Sequence, residues 1–273
     1  RLEDGRAALF RPDEHAKRFV GNLRDLMVPE IDEAKIVEVY EKVGRANMDY
    51  LPPHGKGSIY IAPGARATGA QLGVKPNKKF TFTTEAVPAG KIFSEPAKLQ
   101  IKNTFHRSAG FIKASGNYSI TFRSKAEAHA AGFDDILTGD KSGEFIGELS
   151  SSNVFFITKD GVLLTPELND SILPGITRKS VLEIVRAMKD ELGIKDVEER
   201  EISFDEIPDM DEAFSTGTGV TINSVRSIND YEFELGENKK GTITAKIAKV
   251  FEDILAGKYI DHPVFGPWLK VLE

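Results

Sequence analysis

No cysteine occurs in the 273 residues, so disulfides, thiolate metal sites and a cysteine nucleophile are all excluded. Histidine is sparse: the five, at positions 15, 54, 106, 129 and 262, include no pair at metal-ligand spacing, which argues against zinc. No apolar run approaches the length of a membrane span, and no signal-peptide pattern opens the chain. A cytoplasmic protein is therefore expected, with a mitochondrial or plastid matrix also compatible. Basic excess is missing too. The formal net charge is −6 with both signs interspersed, which speaks against a nucleic-acid footprint. There is no internal repeat and no low-complexity segment. What remains is an ordinary globular composition, of a length that suits one large domain or two smaller ones.

Local patterns place the elements. Asp13 can cap a helix through EHAKRFVGNLRDLM, and a second helix is expected from Asp32 to the Pro52-Pro53 pair. GSIYIAP (57–63) and KFTFTTEAV (79–87) read as strands. VPAGKIFSEPAK (87–98) mixes proline, glycine and charge and is the expected linker between a small domain, 1–86, and a larger one, 99–273. A helix over ITFRSKAEAHAA should end at Gly132. GEFIGELSSSNVFFITKDGVLLTP alternates like strands, with Asp160-Gly161 as a hairpin turn. TRKSVLEIVRAMKDEL (177–192) is the clearest amphipathic helix, DEAFSTGTGVTINSV a strand entering a turn of small residues, and FEDILAGKY a C-terminal helix. Strands and helices in this alternation, with antiparallel hairpin signals, predict an α/β protein of two domains.

Five stretches carry candidate chemistry. GFIKASGNY (110–118) surrounds Lys113 with apolar Phe111 and Ile112 on one side and small Ala114, Ser115 and Gly116 on the other. A solvated lysine gains nothing from such neighbours, so a core-facing, reactive amine is expected. LPGITRKS starts a helix at Gly175 and Ile176, where unpaired N–H groups and the helix dipole attract anions. Thr177 either adds a hydroxyl or is the N-cap of an ordinary helix. STGTG (215–219) is either a plain turn or a nest of N–H groups with the Thr218 hydroxyl beside it; Ile222 stands where a dinucleotide fingerprint needs its third glycine. Glu148, in FIGELSSSN, is either a strand-edge carboxylate in solvent or a partner for a proton on a heterocyclic nitrogen. Arg11, in ALFRPD, is a surface charge or a fixed guanidinium for an anion. One amine, one carboxylate and several anion-binding turns together match what pyridoxal 5'-phosphate requires of a protein.

The order and wording of these motifs resemble the class IV (fold type IV) aminotransferases, most closely the branched-chain amino acid aminotransferases, from about residue 6 to about residue 230. The resemblance implies a two-domain α/β fold with the cofactor between the domains, and a homodimer at least. It makes Lys113, in KASGNY, the carrier of pyridoxal phosphate and of the shuttled proton, with Tyr118 near the cofactor's phenolic oxygen. Glu148 would meet the pyridine nitrogen; Asn153 closes that motif and Ser151 falls near the cofactor. Ile176 and Thr177 would give phosphate-binding amides, Thr218 would touch the phosphate, and Arg11, in LFRP, matches a phosphate-binding arginine. The amides of Gly219 and Val220 would receive the substrate carboxylate. The implied reaction is transamination of L-leucine, L-isoleucine or L-valine with 2-oxoglutarate. A D-amino-acid aminotransferase, an aminodeoxychorismate lyase and a non-catalytic cofactor-binding homologue are the competing readings.

Three departures bear on the substrate pocket. The family places a strand with an F-E-G motif ahead of LFRP, whereas this chain starts at Arg1 without an initiator methionine, so the first strands are expected to be lacking. The family's L-Y-[IV]-R-P reads IYIAP here: Tyr60 is kept and Ala62 replaces the arginine that recognises acidic side chains, with Arg66 a nearby substitute. The expected R-x-x-P-G-G loop before the lysine becomes HRSAGFIK.

Overall fold

The computed structural model describes residues 1–90, 95–103, 109–237 and 240–272. The chain begins with β1 (Ala7–Phe10), α1 (Pro12–Asp25), α2 (Glu33–Ala46) and the long strands β2 (Ser58–Ala67) and β3 (Phe80–Ala89). It continues through β4 (Ala97–Lys102), α3 (Ser115–Ser119), α4 (Phe122–Ala130), β5 (Asp135–Gly139), β6 (Ile146–Leu149), β7 (Asn153–Thr158) and β8 (Val162–Pro166). The remainder is α5 (Ile176–Ala187), α6 (Lys189–Leu192), β9 (Asp196–Arg200), β10 (Met210–Gly217), β11 (Thr221–Ile228), β12 (Tyr231–Glu232), α7 (Thr242–Leu255) and β13 (Leu269–Leu272). None of the helices among the described residues is long and apolar enough to cross a membrane.

The chain forms two compact units, Arg1–Lys91 with Glu252–Glu273, and Ile92–Phe251. The C-terminal end of the expected second domain, 99–273, therefore falls in the first unit. The reason is backbone pairing: β13 runs antiparallel to β1, with Phe10 opposite Leu269. Much of the expected linker is strand, since β3 extends to Ala89 and β4 starts at Ala97; residues 91–94 lie outside the described residues.

In the first unit, apolar residues at helical spacing form the core. Ala16 and Val20 of α1 pack with Ile36 and Tyr40 of α2, and Ile61 of β2 packs against this cluster. Asp32 caps α2 as expected, its carboxylate accepting from Ala34 N–H at 2.8 Å. Asp13 does not cap α1. Arg11 is the N-cap in a left-handed conformation, because Pro12 supplies the first helical residue with its preset φ and no N–H to satisfy.

The second unit is built on one mixed sheet in the order β6-β5-β4-β11-β10-β7-β8-β9, with β12 on β11. Ala97, Leu137, Leu149, Val154, Phe156, Ala213 and Val225 belong to one buried apolar cluster on it. Phe155 and Phe214 project from the alternate positions and stack at 5.0 Å, and α5 packs on β10. The Asp160-Gly161 turn joins β7 to β8 as expected, with Gly161 at φ 81°. Two helices differ from their sequence patterns. Residues 177–192 split into α5 and α6 where Met188 leaves helical geometry at φ −129°. The expected helix at FEDILAGKY is the end of α7, which starts upstream at Thr242. Buried Glu212 anchors that start. Its carboxylate accepts from the N–H groups of Ile243 and Thr244, each at 2.8 Å, and from the Thr244 hydroxyl at 2.7 Å.

Removing that cap leaves buried N–H groups unpaired. Glu212→Ala is expected to lower stability by about 1–3 kcal/mol, and Glu212→Gln, which keeps an acceptor, by less. Urea unfolding followed by far-ultraviolet circular dichroism measures both; an unchanged midpoint for Glu212→Ala would show that the cap contributes nothing.

Candidate active site

The lysine loop is held by its own asparagine and by a glycine contact. Asn117 Nδ2 donates to the carbonyls of Ala109 (2.7 Å) and Ile112 (2.8 Å), which rounds the loop ahead of α3. Gly110 N–H donates to Asp170 O at 2.7 Å. A Cβ at this position would lie 1.8 Å from Ser171 O, so only glycine lets the two backbones meet. The lysine loop is thereby docked on residues 170–171. Lys113 itself is exposed, against the expectation of a core-facing amine: Ile112 takes the inward position and Lys113 the outward one. Its Nζ donates to Tyr118 Oη at 2.8 Å. Residues 104–108, most of the altered loop before the lysine, lie outside the described residues.

Two residues further along the docking segment, Leu173 reaches the carboxylate. Glu148 ends up buried at β6 rather than at a solvated edge. Asn153, the first residue of β7, donates from Nδ2 to Glu148 Oε2 and to Leu173 O, both at 2.9 Å. The Leu173 N–H faces the two Glu148 oxygens at 3.4 Å each. The asparagine also crowds the next turn, since a Cβ on Gly175 would sit 2.1 Å from Asn153 Oδ1. Asn153 is thus committed to Glu148 and the 173–175 backbone, a positioning role that its place in ELSSSN did not reveal.

That backbone leads directly into α5. Gly175 is the N-cap and makes no side-chain cap, so Thr177 is a buried first-turn residue and not the cap. The amides of residues 176–178 have no acceptor within the helix, which leaves the start of α5 suited to an anion. Arg178 turns away from that end. Buried, it donates to Pro166 O at 2.9 Å and Glu199 Oε2 at 2.8 Å, while Arg186 holds the other Glu199 oxygen at 2.6 Å. Burial pushes the Arg178 guanidinium below its ordinary pKa, with the Glu199 hydrogen bond opposing. Burial alone would raise the Glu199 carboxyl, but the hydrogen bonds from Arg186 and Arg178 hold it below the usual range. This network pins α5 to β8 and β9. The sequence signal for it was two arginines on one helix face, eight residues apart, facing a glutamate-rich strand.

The STGTG turn arrives at the same place through sheet register. Thr216 pairs with Asn153 across β10 and β7, and Gly217 pairs with Thr221 to close a three-residue hairpin over Thr218, Gly219 and Val220. Thr218 and Ser151 are exposed. The second unit therefore docks Gly110, three residues ahead of Lys113, on residues 170–171, and holds Glu148 and Asn153 on Leu173, just ahead of Ile176 and Thr177.

Arg11, Tyr60, Ala62 and Arg66 belong to the first unit. Arg11 is buried, and its main-chain N–H donates to Trp268 O at 2.7 Å. Tyr60, Ala62 and Arg66 share one face of β2, opposite the face that Ile61 presents to the helices. Ala62 lies directly opposite Glu85 on β3, and Arg66 donates to Glu85 Oε1 at 3.4 Å. Arg66 is accordingly paired with a carboxylate beside Ala62, a partner that no sequence pattern indicated.

The model of the amino-transferase class IV family matches residues 1–228. The chloroplastic branched-chain-amino-acid aminotransferase 5 of Arabidopsis thaliana is 38% identical over 257 residues, covering 90% of this chain and 60% of that protein. A probable branched-chain-amino-acid aminotransferase of Staphylococcus aureus (strain N315) is 34% identical over 94% of this chain and 75% of its own length. The chain thus spans about three fifths of the length of the plant relative. Among solved structures, the branched-chain aminotransferase of Thermoproteus uzoniensis with norvaline superposes with a TM-score of 0.84 at 26% identity, covering all of this chain and 87% of its own. The Escherichia coli branched-chain enzyme gives 0.83 at 27% identity, covering 98% and 86%. The fold is that of the branched-chain aminotransferases, fold type IV. With the matched span running from the first residue past the STGTG hairpin, the chain belongs to the class IV aminotransferases.

Proposed function

We propose that the protein is a pyridoxal phosphate-dependent transaminase that moves the amino group of L-branched-chain amino acids to 2-oxoglutarate. The observation that carries this reading is that the loop bearing the Lys113–Tyr118 amine–phenol pair docks through Gly110 on Asp170, beside the contact of buried Glu148 with Leu173 and the start of α5, which no side chain caps. That donor set fits pyridoxal phosphate: an amine for its carbonyl carbon, a carboxylate for its ring nitrogen and amides for its phosphate. Solved relatives point the same way, among them the Thermobaculum terrenum branched-chain enzyme in its PLP form.

When bound, the cofactor supplies an electron sink for the charge that develops at the substrate's Cα. Lys113 would hold it covalently, and the lysine Nζ would serve as the base and acid for the proton at the substrate's Cα. Tyr118 Oη, already hydrogen-bonded to Nζ, orients that amine. Glu148 holds a proton on the ring nitrogen, and Asn153 keeps its carboxylate in place. The amides of Ile176 and Thr177, the Thr218 hydroxyl and Arg11 bind the phosphate; the amides of Gly219 and Val220 take the substrate carboxylate, with Ser151 beside them. Tyr60 and Ala62 line the space for the substrate side chain. We assign a homodimer as the working unit: Leu72 and Val74 stand fully exposed in the connection between β2 and β3, apolar surface of the kind a second subunit would cover.

Borohydride reduction of the loaded protein should fix the cofactor on the peptide containing Lys113, and Lys113→Ala should abolish turnover. Label recovered on another lysine would refute the assignment, and turnover confined to D-amino acids would refute the substrate class. Glu148→Gln should retain the cofactor yet slow the proton transfer; full activity would refute the ring-nitrogen role.

The Ala62–Glu85 pair generates a second test. With no arginine at position 62 and a carboxylate across from it, leucine should react faster than glutamate in single half-reactions followed by cofactor absorbance. Glu85→Ala should raise the glutamate rate about fivefold, the ~1 kcal/mol of one screened charge contact, and leave leucine unchanged. Equal gains for both amino acids would show that Glu85 does not face the side-chain space.

A further inference from the structure

We infer that Thr138 is a positioning residue for Glu148, an inference that rests on the role proposed above for that carboxylate at the cofactor's ring nitrogen. Thr138 lies on β5, a strand whose five residues, Asp135–Gly139, are all buried. A hydroxyl in such a place costs free energy unless it is hydrogen-bonded, and valine would fill the same volume without that cost. The Thr138 hydroxyl is used twice, both times by one residue. It donates to the Glu148 carbonyl at 2.7 Å and accepts from the Glu148 N–H at 3.3 Å.

An irregularity in the strand pair explains the contact. Leu137 stands opposite Leu149, whereas Gly139 stands opposite Ile146. One residue of β5, Thr138, therefore faces two of β6, Gly147 and Glu148, and the pair is a β-bulge. Side-chain packing agrees. Ile146 and Leu149, three positions apart, would project to opposite faces of a regular strand, yet both belong to the buried apolar cluster that holds Leu137. The extra residue makes that possible. Between them, Glu148 sends its carboxylate to Asn153 and Leu173 instead. Gly147 lets the bulge close, because a Cβ there would lie 2.7 Å from Gly139 O and 3.2 Å from Thr138 Oγ1.

A bulge re-aims the side chain it carries and disrupts the ladder at the same point. Backbone that leaves the ladder needs another partner to fix it. Here one hydroxyl meets both the N–H and the C=O of residue 148, which ties the base of the glutamate side chain to β5. Asn153 holds the far end, at 2.9 Å from Oε2. A carboxylate carries several acceptor lone pairs, and what Thr138 sets is where they stand.

The experiment uses cofactor-free protein and two probes, pyridoxal 5'-phosphate and its deaza analogue, in which a C–H group replaces the ring nitrogen that Glu148 would meet. Thr138→Val keeps the side-chain shape and removes the hydroxyl. It should weaken pyridoxal phosphate binding about 2- to 10-fold, the worth of one neutral hydrogen bond, and leave binding of the deaza analogue unchanged. Thr138→Ser, which keeps the hydroxyl, should recover the loss. Equal losses for both probes, as a merely structural disturbance would give, or none for either, would overturn the positioning role. So would a loss that serine fails to recover. Should Thr138→Val fail to fold, Thr138→Ala puts no methyl group in the hydroxyl's place and must show the same selective loss. Glu148→Gln is the control for the underlying reading. If the preference for pyridoxal phosphate over the deaza analogue survives that change, Glu148 does not meet the ring nitrogen and the inference falls with it. If the preference is lost in Glu148→Gln but kept in full in Thr138→Val, Glu148 has its role and Thr138 has none.

Discussion

The second unit depends on one amide. Asn153 Nδ2 gives its two hydrogens to Glu148 and to the Leu173 carbonyl, and so joins the carboxylate at the end of β6 to the segment that opens α5. A buried carboxylate is costly unless its oxygens are occupied, and a free loop would not hold a helix start in register with it. The asparagine meets both needs at once. An aspartate in its place would set two carboxylates against each other, and a residue without a side-chain amide would leave the Glu148 oxygen and the Leu173 carbonyl short of a donor.

Close backbone approach completes what the amide begins. Gly175 admits the Asn153 oxygen and Gly110 admits the Ser171 carbonyl, so the carboxylate strand, the turn into α5 and the lysine loop meet on a short segment. The sheet adds the STGTG hairpin through its register, since the pairing of β10 with β7 sets Thr216 opposite Asn153. Away from the site, the Arg178–Glu199–Arg186 network anchors α5 from behind. Because the Glu199 carboxyl is held below its usual range, that anchor is present above the ordinary carboxylate pKa and is lost as pH falls through the depressed value. The anchoring of α5 is therefore fully present at neutral pH.

The first unit expresses a different balance. Its strand face pairs Arg66 with Glu85 beside Ala62, so no arginine there is left uncompensated by a carboxylate. Its buried Arg11 lies over the Trp268 ring at 4.4 Å and within 3.8 Å of the Glu14 carboxylate.

Much of the protein could be read from its residues in order. The apolar spacing of α1 and α2, the β-branched runs of β2 and β3, the Asp160-Gly161 turn, and the lysine, glutamate and STGTG motifs are all local features, set by helical or strand period and by turn chemistry. Their partners were not legible. Nothing near Glu148 announces Leu173, nothing near Arg11 announces Trp268, and the exposed position of Lys113 ran against its apolar neighbours. The C-terminal strand joined the first unit, and α7 started early on a glutamate from β10, for the same reason. Periodicity fixes what a segment becomes, but hydrogen bonds, ring contacts and sheet register between distant segments form only once the chain has closed on itself. The sequence alone determined which groups could do the chemistry; the tertiary structure decided which backbone each one leans on, and how its charge is held.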